Sequence, residues 1–512
     1  MKKTIILSAV AVMTTAACTA QSQGNNTSSQ AAINDSIQNI IRMADQGDAK
    51  AQNLVGSWYF SGKNVQQDYE KAEHYWHLAA NQGNALAMGN VGLCYQYGYG
   101  VEKDSIAALR LYIRSIKDGN KQLLEERTAG KNAFDLVLAA QCYQQGNGTT
   151  KDLNKAIGCY QKAVELQSPD AARELGLIYM NQKNAIAAAP VFKQGAQQGD
   201  LTCTYYYGKL LYDGQGVVQD MSQGVVYLSA AAEKGFAQAQ VEMGHACAKG
   251  EGTAQNEEKA FSWYEKAAVQ GNPHGQWNLA ECYRKGAGTE ASFTDALYWY
   301  ARSAPIGYRR AFKRLMNENE EVKNSPFGSY VLGMKAQANK DFSQAQEAYK
   351  ALEKAKHPLG KTLQAALLLA EGNDKANPKK GMKQLESLAE TDALACFILA
   401  QVYANGRVVE KDMKRSFEYM KRASDKGIWS ATCQLADDYL NGQGTGKNER
   451  EAVKLLLQAQ KAGRLTPEAC QLLASCYEEG YGGLNPDKKK ADELRKVKDT
   501  DPIADLLQSL DK

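Results

Sequence analysis

His74 and His77 stand three residues apart, a spacing that lets two imidazoles on one helix share a metal ion. A metal site needs further ligands, and the sequence supplies no third one in register, so the two histidines read as surface residues. The pairs Gly214-x-Gly216, Gly250-x-Gly252 and Gly286-x-Gly288 could cradle a phosphate. A phosphate loop requires a strand before it and Gly-Lys-Ser/Thr after it, and neither is present, so these glycines read as structural. No serine or cysteine lies in a recognisable nucleophile context, although a dyad assembled from distant segments stays open. The sequence therefore assigns no catalytic residue, no metal and no cofactor.

Eleven cysteines invite a disulfide reading. Cys94, Cys142, Cys282 and Cys476, however, each precede a recurrent tyrosine, and Cys247 occupies that tyrosine's own place. Recurrence at core-facing positions suits a small buried hydrophobe better than a cross-link. Cys470 and Cys476 point apart on one run. A bond between two helices of one unit, such as Cys142 with Cys159, stays open.

These residues are positioned by a repeat. Gly235, Gly271 and Gly307 are spaced by 36, and the stretch from Phe236 to Gly307 states one unit twice. In the first copy, Ala239, Val241, Met243, Gly244 and Cys247 share one helical face, Gly-x-Gly breaks the run, and Ala260, Trp263, Tyr264, Ala267 and Ala268 form a second face. Helix, tight loop, helix and turn follow. Neither helix can bury its stripe alone, so copies must stack into one continuous core. Asp68, Asp104, Asp152, Asp220 and Asp412, with Asn256 and Asn448, stand where a side-chain oxygen caps the second helix. Gly92, Gly208, Gly244, Ala280 and Ala400 leave room for close approach of that helix.

At 512 residues the chain far exceeds what one hydrophobic core supports, a limit that a one-dimensional array escapes. Its net charge is +4, and loss of Lys2 and Lys3 leaves +2, so no footprint for nucleic acid exists. Lys2-Lys3, the apolar run Ile5 to Met13 and small residues before Cys18 read as an export signal over residues 1–17. The pattern resembles a bacterial lipoprotein signal, which implies a lipid on Cys18; Thr15 departs from it, and secretory cleavage near Ala17 or Ala20 stays open. The expected location is the envelope, membrane-anchored, in the outer membrane facing the periplasm. Residues 18–33 read as a flexible tether. A repeat array then occupies 34–307, with a short helix after Asn34-Asp35 and an insertion near 121–132. Residues 308–357 form a degenerate hinge, 358–498 a second array, and 499–512 a polar tail.

The unit, A-x-x-x-[LVM]-G-x-x-Y-x-x-G-x-G-V-x-x-D-x-x-K-A-x-x-[WY]-Y-x-K-A-A-x-x-G, resembles the Sel1-like repeat, a relative of the tetratricopeptide repeats, over nearly all of the chain after its leader. The resemblance implies an all-α fold: an α/α solenoid wound as a right-handed superhelix of about eleven to twelve hairpins. It also implies a non-enzymatic scaffold that binds a protein or peptide partner in the envelope. Secreted members with cysteine-paired repeats are linked to β-lactam or cell-wall chemistry, which gives the alternative of a hydrolase. Their cysteine spacing is absent here. If first helices line a concave wall, as in tetratricopeptide repeats, the inward stripe is Thr202, Tyr205, Lys209 and Tyr212, then Gln238, Val241, His245 and Ala248, then His274, Trp277, Glu281 and Arg284. Aromatics mixed with single charges and amides suit peptide recognition. The other reading of Tyr205 and Trp277 is packing between neighbouring helices.

Overall fold

The structure, a computed structural model, describes residues 26–304, 307–496 and 502–510. Among the described residues there are helices and turns and no strands, and twelve helical hairpins follow one another along the chain. Most helices span thirteen residues, as the 36-residue period requires once a loop and a turn are subtracted. Cys18 and the export signal lie outside the described residues.

Each hairpin is bounded by the residues that the pattern singles out. Asp68, Asp104, Asp152, Asp220 and Asp412 each accept a backbone N–H in the first turn of the second helix, and Asn256 and Asn448 do the same. Gly250 and Gly286 close the first helix in the left-handed region, at φ 75° and 72°. The second glycine of each loop has a further reason. A Cβ on Gly252 would lie 2.4 Å from the Met221 carbonyl oxygen, and one on Gly288 would lie 2.2 Å from that of Glu257. The loop is pressed onto the start of the preceding hairpin's second helix, so it sets the stacking of repeats as well as the turn.

In several hairpins the small residue of the first helix faces an aromatic ring of the second, a more specific fit than close approach of alanines; Gly208 instead lies against the backbone of Gly224 and Leu228. A Cβ on Gly244 would meet the Tyr264 ring at 2.4 Å, one on Gly176 the Phe192 ring at 2.3 Å, and one on Gly333 the Tyr349 ring at 2.2 Å. These rings are buried, and Tyr349 still satisfies its hydroxyl by donating to Gln337 at 3.0 Å.

The chain divides into two compact units, one ending at Asp200 and the other starting at Leu201. The first holds four hairpins and the insertion, where the helix Lys121–Thr128 carries Arg127. Arg127 is buried, lies over the Tyr112 ring and pairs with buried Asp135 at 2.6 Å. The sequence reading starts the leading helix after Asn34-Asp35; the observed helix, Asn26–Asp45, begins inside the expected tether.

The second unit holds the other eight hairpins. Residues 308–357, read as a hinge, form two short helices, Arg309–Asn317 and Glu320–Lys323, and a regular hairpin, Pro326–Ala338 with Phe342–Lys354, all inside this unit. The later array returns to the earlier one. The Tyr298 hydroxyl donates to the Gly463 carbonyl at 2.9 Å across 165 residues of sequence. Beside it Arg464 is buried, pairs with Asp295 at 2.7 Å and lies 4.3 Å from the Tyr298 ring centroid and 4.7 Å from that of Trp299. The tail also departs from expectation. Pro502–Gln508 is a helix, and Leu506, Leu507 and Leu510 are buried in the unit's core. Averaged over its length the tail is polar, but its leucines share one helical face.

Candidate functional site

The first helices Leu201–Asp213, Ala237–Lys249 and Pro273–Lys285 carry the expected stripe. Its charged members are held by one another. Lys209 Nζ lies 3.0 Å from Asp213 and 3.1 Å from Glu242 of the next hairpin. His245 Nδ1 faces the same carboxylate at 3.8 Å, and its Nε2 meets the Asn278 amide of the following hairpin at 3.1 Å. Burial pushes the Glu242 carboxyl up, but bonds from His245 and Lys209 outweigh it and hold the group below the usual carboxylate range.

The third rung is denser. Glu281 accepts from Arg284 at 2.8 Å, from Lys285 at 3.1 Å and from the Tyr300 hydroxyl. Burial raises its pKa, and the Arg284 and Tyr300 hydrogen bonds lower it further than burial raises it. Trp277 is half-buried, stacked on Tyr308 with centroids 5.1 Å apart and edge-on to Tyr300 at 4.8 Å. The Tyr308 hydroxyl also bonds His274. Tyr205 packs against Phe236 at 5.1 Å, and Tyr212 is buried, its hydroxyl donating to Glu251 at 2.7 Å. Of the twelve stripe residues, Gln238 and His274 are exposed, Tyr212 and Val241 are buried, and the other eight, Trp277 among them, are intermediate. The stripe thus joins repeats first and offers a surface second.

The surface it offers includes Trp277. A cleft of about 510 Å³ opens there, lined also by Arg314 and Leu315 of the helix Arg309–Asn317. That helix buries Phe312 and Met316 and leaves Arg309, Arg310 and Arg314 exposed. Another cleft, of about 590 Å³, lies where the two arrays of this unit meet, lined by Lys266, Gln270, Trp429, Gln458 and Lys461.

Sequence reasoning missed Glu242, Asn278, Tyr308, Asp295 and Arg464. For three of them a signal existed: Asn278 is Glu242 plus one period, and Tyr308 is two periods after Phe236. Arg464 and Asp295 meet only through the return of the chain, which no local pattern encodes.

The ten cysteines of the described residues are all free thiols, Cys142 and Cys159 included, and nine are buried. Burial pushes the Cys94 thiol up to about 12 and that of Cys476 to about 11. Among the described residues no three His, Cys, Asp or Glu side chains gather as metal ligands; His77 instead meets Glu73 at 3.2 Å. No helix of the described residues is long and apolar enough to cross a membrane.

Stacked helical hairpins with a small residue under an aromatic ring and a Gly-x-Gly loop define an α/α repeat protein of the tetratricopeptide-like class. The profile of the Sel1 repeat matches residues 49–84, 85–120, 136–168, 202–236, 237–272, 273–304, 393–428, 429–463 and 467–491, and the chain belongs to the Sel1 repeat family. It is 29% identical over 158 residues to the ERAD-associated E3 ubiquitin-protein ligase component HRD3B of Arabidopsis thaliana, covering 30% of this chain and 25% of that protein. Over 72 residues it is 39% identical to protein sel-1 homolog 2 of Homo sapiens, covering 14% of this chain and 10% of the other. The chain thus spans a quarter or less of these relatives. Among solved structures, a protective antigen of uropathogenic Escherichia coli with an SLR fold is 24% identical, with 90% of each chain covered and a TM-score of 0.37.

Proposed function

We propose that the chain is a non-enzymatic binding scaffold of a bacterial envelope, anchored through a lipid on Cys18 in the outer membrane, facing the periplasm and holding a peptide or protein partner on the first-helix wall of residues 201–285. The observation that carries the reading is the cleft beside Trp277, in which this stripe residue meets Arg314, Leu315, Glu318 and Glu320 of the segment that follows, an apolar ring bordered by charges of both signs. A partner's side chain entering there would meet an indole already fixed by Tyr300 and Tyr308, so little rotamer entropy is lost on binding. The names of the HRD3-type relatives describe components of a larger assembly, which fits a role exercised by contact. Burial raises the thiols of Cys94, Cys142 and Cys476 well above neutral pH, so these three hold little thiolate there, which favours a structural role for them.

The test is crosslinking and co-purification of the full chain from its envelope. Trp277→Ala with Arg314→Glu should lose the partner while keeping the wild-type melting temperature within a few degrees. Retention of the partner by a folded double variant would remove the cleft as its site. Turnover of peptidoglycan or nitrocefin by the purified protein, abolished by a point change, would replace the scaffold with the hydrolase alternative. Lipid labelling that survives Cys18→Ser would overturn the anchor.

A further inference from the structure

The segment Pro502–Gln508 leaves the repeat register and settles on two helices far upstream, Phe293–Ser303 and Pro326–Ala338. Those helices flank the interruption of the period: between them run the short helices of residues 309–323, so the second helix of one hairpin is not followed at once by the first helix of the next. Leu506, Leu507 and Leu510 are buried at 0, 4 and 7% exposure, in the same core cluster as Phe293, Trp299, Phe327 and Tyr330, with Ile503 partly buried against it. Ile503, Leu506, Leu507 and Leu510 stand at i, i+3, i+4 and i+7, one apolar face of a helix. A seven-residue helix is too short to persist in water, so its form is imposed by the surface on which it sits.

The arrangement has the parts of helix-in-groove recognition: a short amphipathic helix whose apolar anchors, at this spacing, enter a hydrophobic surface. We infer that the face made by Phe293–Ser303 and Pro326–Ala338 is a docking groove for a short helix with apolar residues at i, i+3, i+4 and i+7, that the chain fills it with its own residues 502–510, and that a partner protein's helix of this pattern takes it in exchange. The chemistry of the partner is read from the occupant: aliphatic anchors, two of them adjacent leucines. The groove is distinct from the Trp277 cleft, so this inference does not rest on the proposed function.

The probe is a fluorescein-labelled peptide of residues 499–512, titrated into the full chain and into the full-length variant Leu506→Asp/Leu507→Asp. Occlusion in cis predicts at least tenfold tighter binding to the variant, and no binding of a peptide whose three leucines are serine. Equal binding to both chains, or none to a variant that keeps its helical circular dichroism, overturns the inference. Should the variant not fold, hydrogen exchange on the wild type decides. Amides of 502–510 exchanging at least tenfold faster than those of 293–303 mean that the segment opens while its groove stays folded. Equal rates make it fixed core and overturn the proposal. A wild-type dimer abolished by the double substitution would make a second copy the occupant and overturn the partner-helix assignment.

Discussion

The first-helix walls of residues 201–285 and 393–441 are built on the same unit and carry opposite chemistry. In the former, Lys209, Glu242, His245 and Asn278 pass hydrogen bonds and ion pairs from hairpin to hairpin. In the latter the equivalent positions are Leu394, Phe397, Gln401 and Ala404, then Ser430, Cys433, Asp437 and Leu440, with a single carboxylate among them. The landmark beneath the first wall is Gly208, Gly244 and Ala280, and beneath the second Ala400 and Ala436. The fold tolerates both because the capping residues Asp220, Asn256, Asp412 and Asn448 and the left-handed loop glycines recur beneath both walls. The wall is left free to vary, and a polar wall needs its charges satisfied across repeats, whereas an apolar one does not.

The largest expected effect breaks the landmark. Gly244→Val places a branched side chain into the Tyr264 ring and should cost about 3 kcal/mol, read from the urea midpoint. Ala436→Gly, which opens space on the other wall, should cost only about 1 kcal/mol through helix propensity. Equal losses would show that the two landmarks do the same job.

Next comes the acidic pair Asp437 and Asp438 of the helix Trp429–Asn441, of which Asp438 is buried beneath the wall. Burial, then the neighbouring Asp437 carboxylate, pushes Asp438 up to about 6, from an ordinary value of 3.8. The folded state therefore holds this proton more tightly than the unfolded chain. The stability so gained is full below about pH 4 and is lost as pH rises through 6. Asp438→Asn should raise stability by about 1–3 kcal/mol at pH 7 relative to the wild type, with the gain absent at pH 4. Thermal melts across this range check it, and a pH-independent difference would count against the titration of Asp438.

The smallest effect sharpens the polar wall. Lys209→Met removes the bond to Glu242 and should cost about 1 kcal/mol, since the pair is partly exposed. A double-mutant cycle with Glu242→Gln should give a coupling of about 0.5–1 kcal/mol. Gln401→Met, at the matching position of the other wall, should stay within about 0.5 kcal/mol of wild type.

The walls also show how far pattern reading reaches. Asp220, Asn256 and Asn448 are legible as caps because a cap depends on a side chain and a backbone three residues away. Gly244 is legible as a small residue, while its partner, the Tyr264 ring, is fixed by the pairing of the two helices. The stripe positions follow from helical spacing, but their engagement does not. Tyr212 reads as a free aromatic and is buried against Glu251; Trp277 reads as an anchor and is half-covered by Tyr308. The tail shows the opposite error, because three leucines diluted by charge read as solvent-facing until a groove is present to receive them.

By itself the sequence determined the unit, its caps, its loop glycines and its membership of the family, since each rests on contacts within about 36 residues. Only the tertiary structure decided what depends on distant segments meeting. The break between compact units falls at Asp200. Arg464 closes onto Asp295 and the Tyr298 and Trp299 rings, and residues 502–510 return to the helices around the interrupted register. The physical reason is that a repeat pattern encodes nearest-neighbour packing. A chain that bends back on itself selects its long-range partners by which surfaces the accumulated geometry brings together.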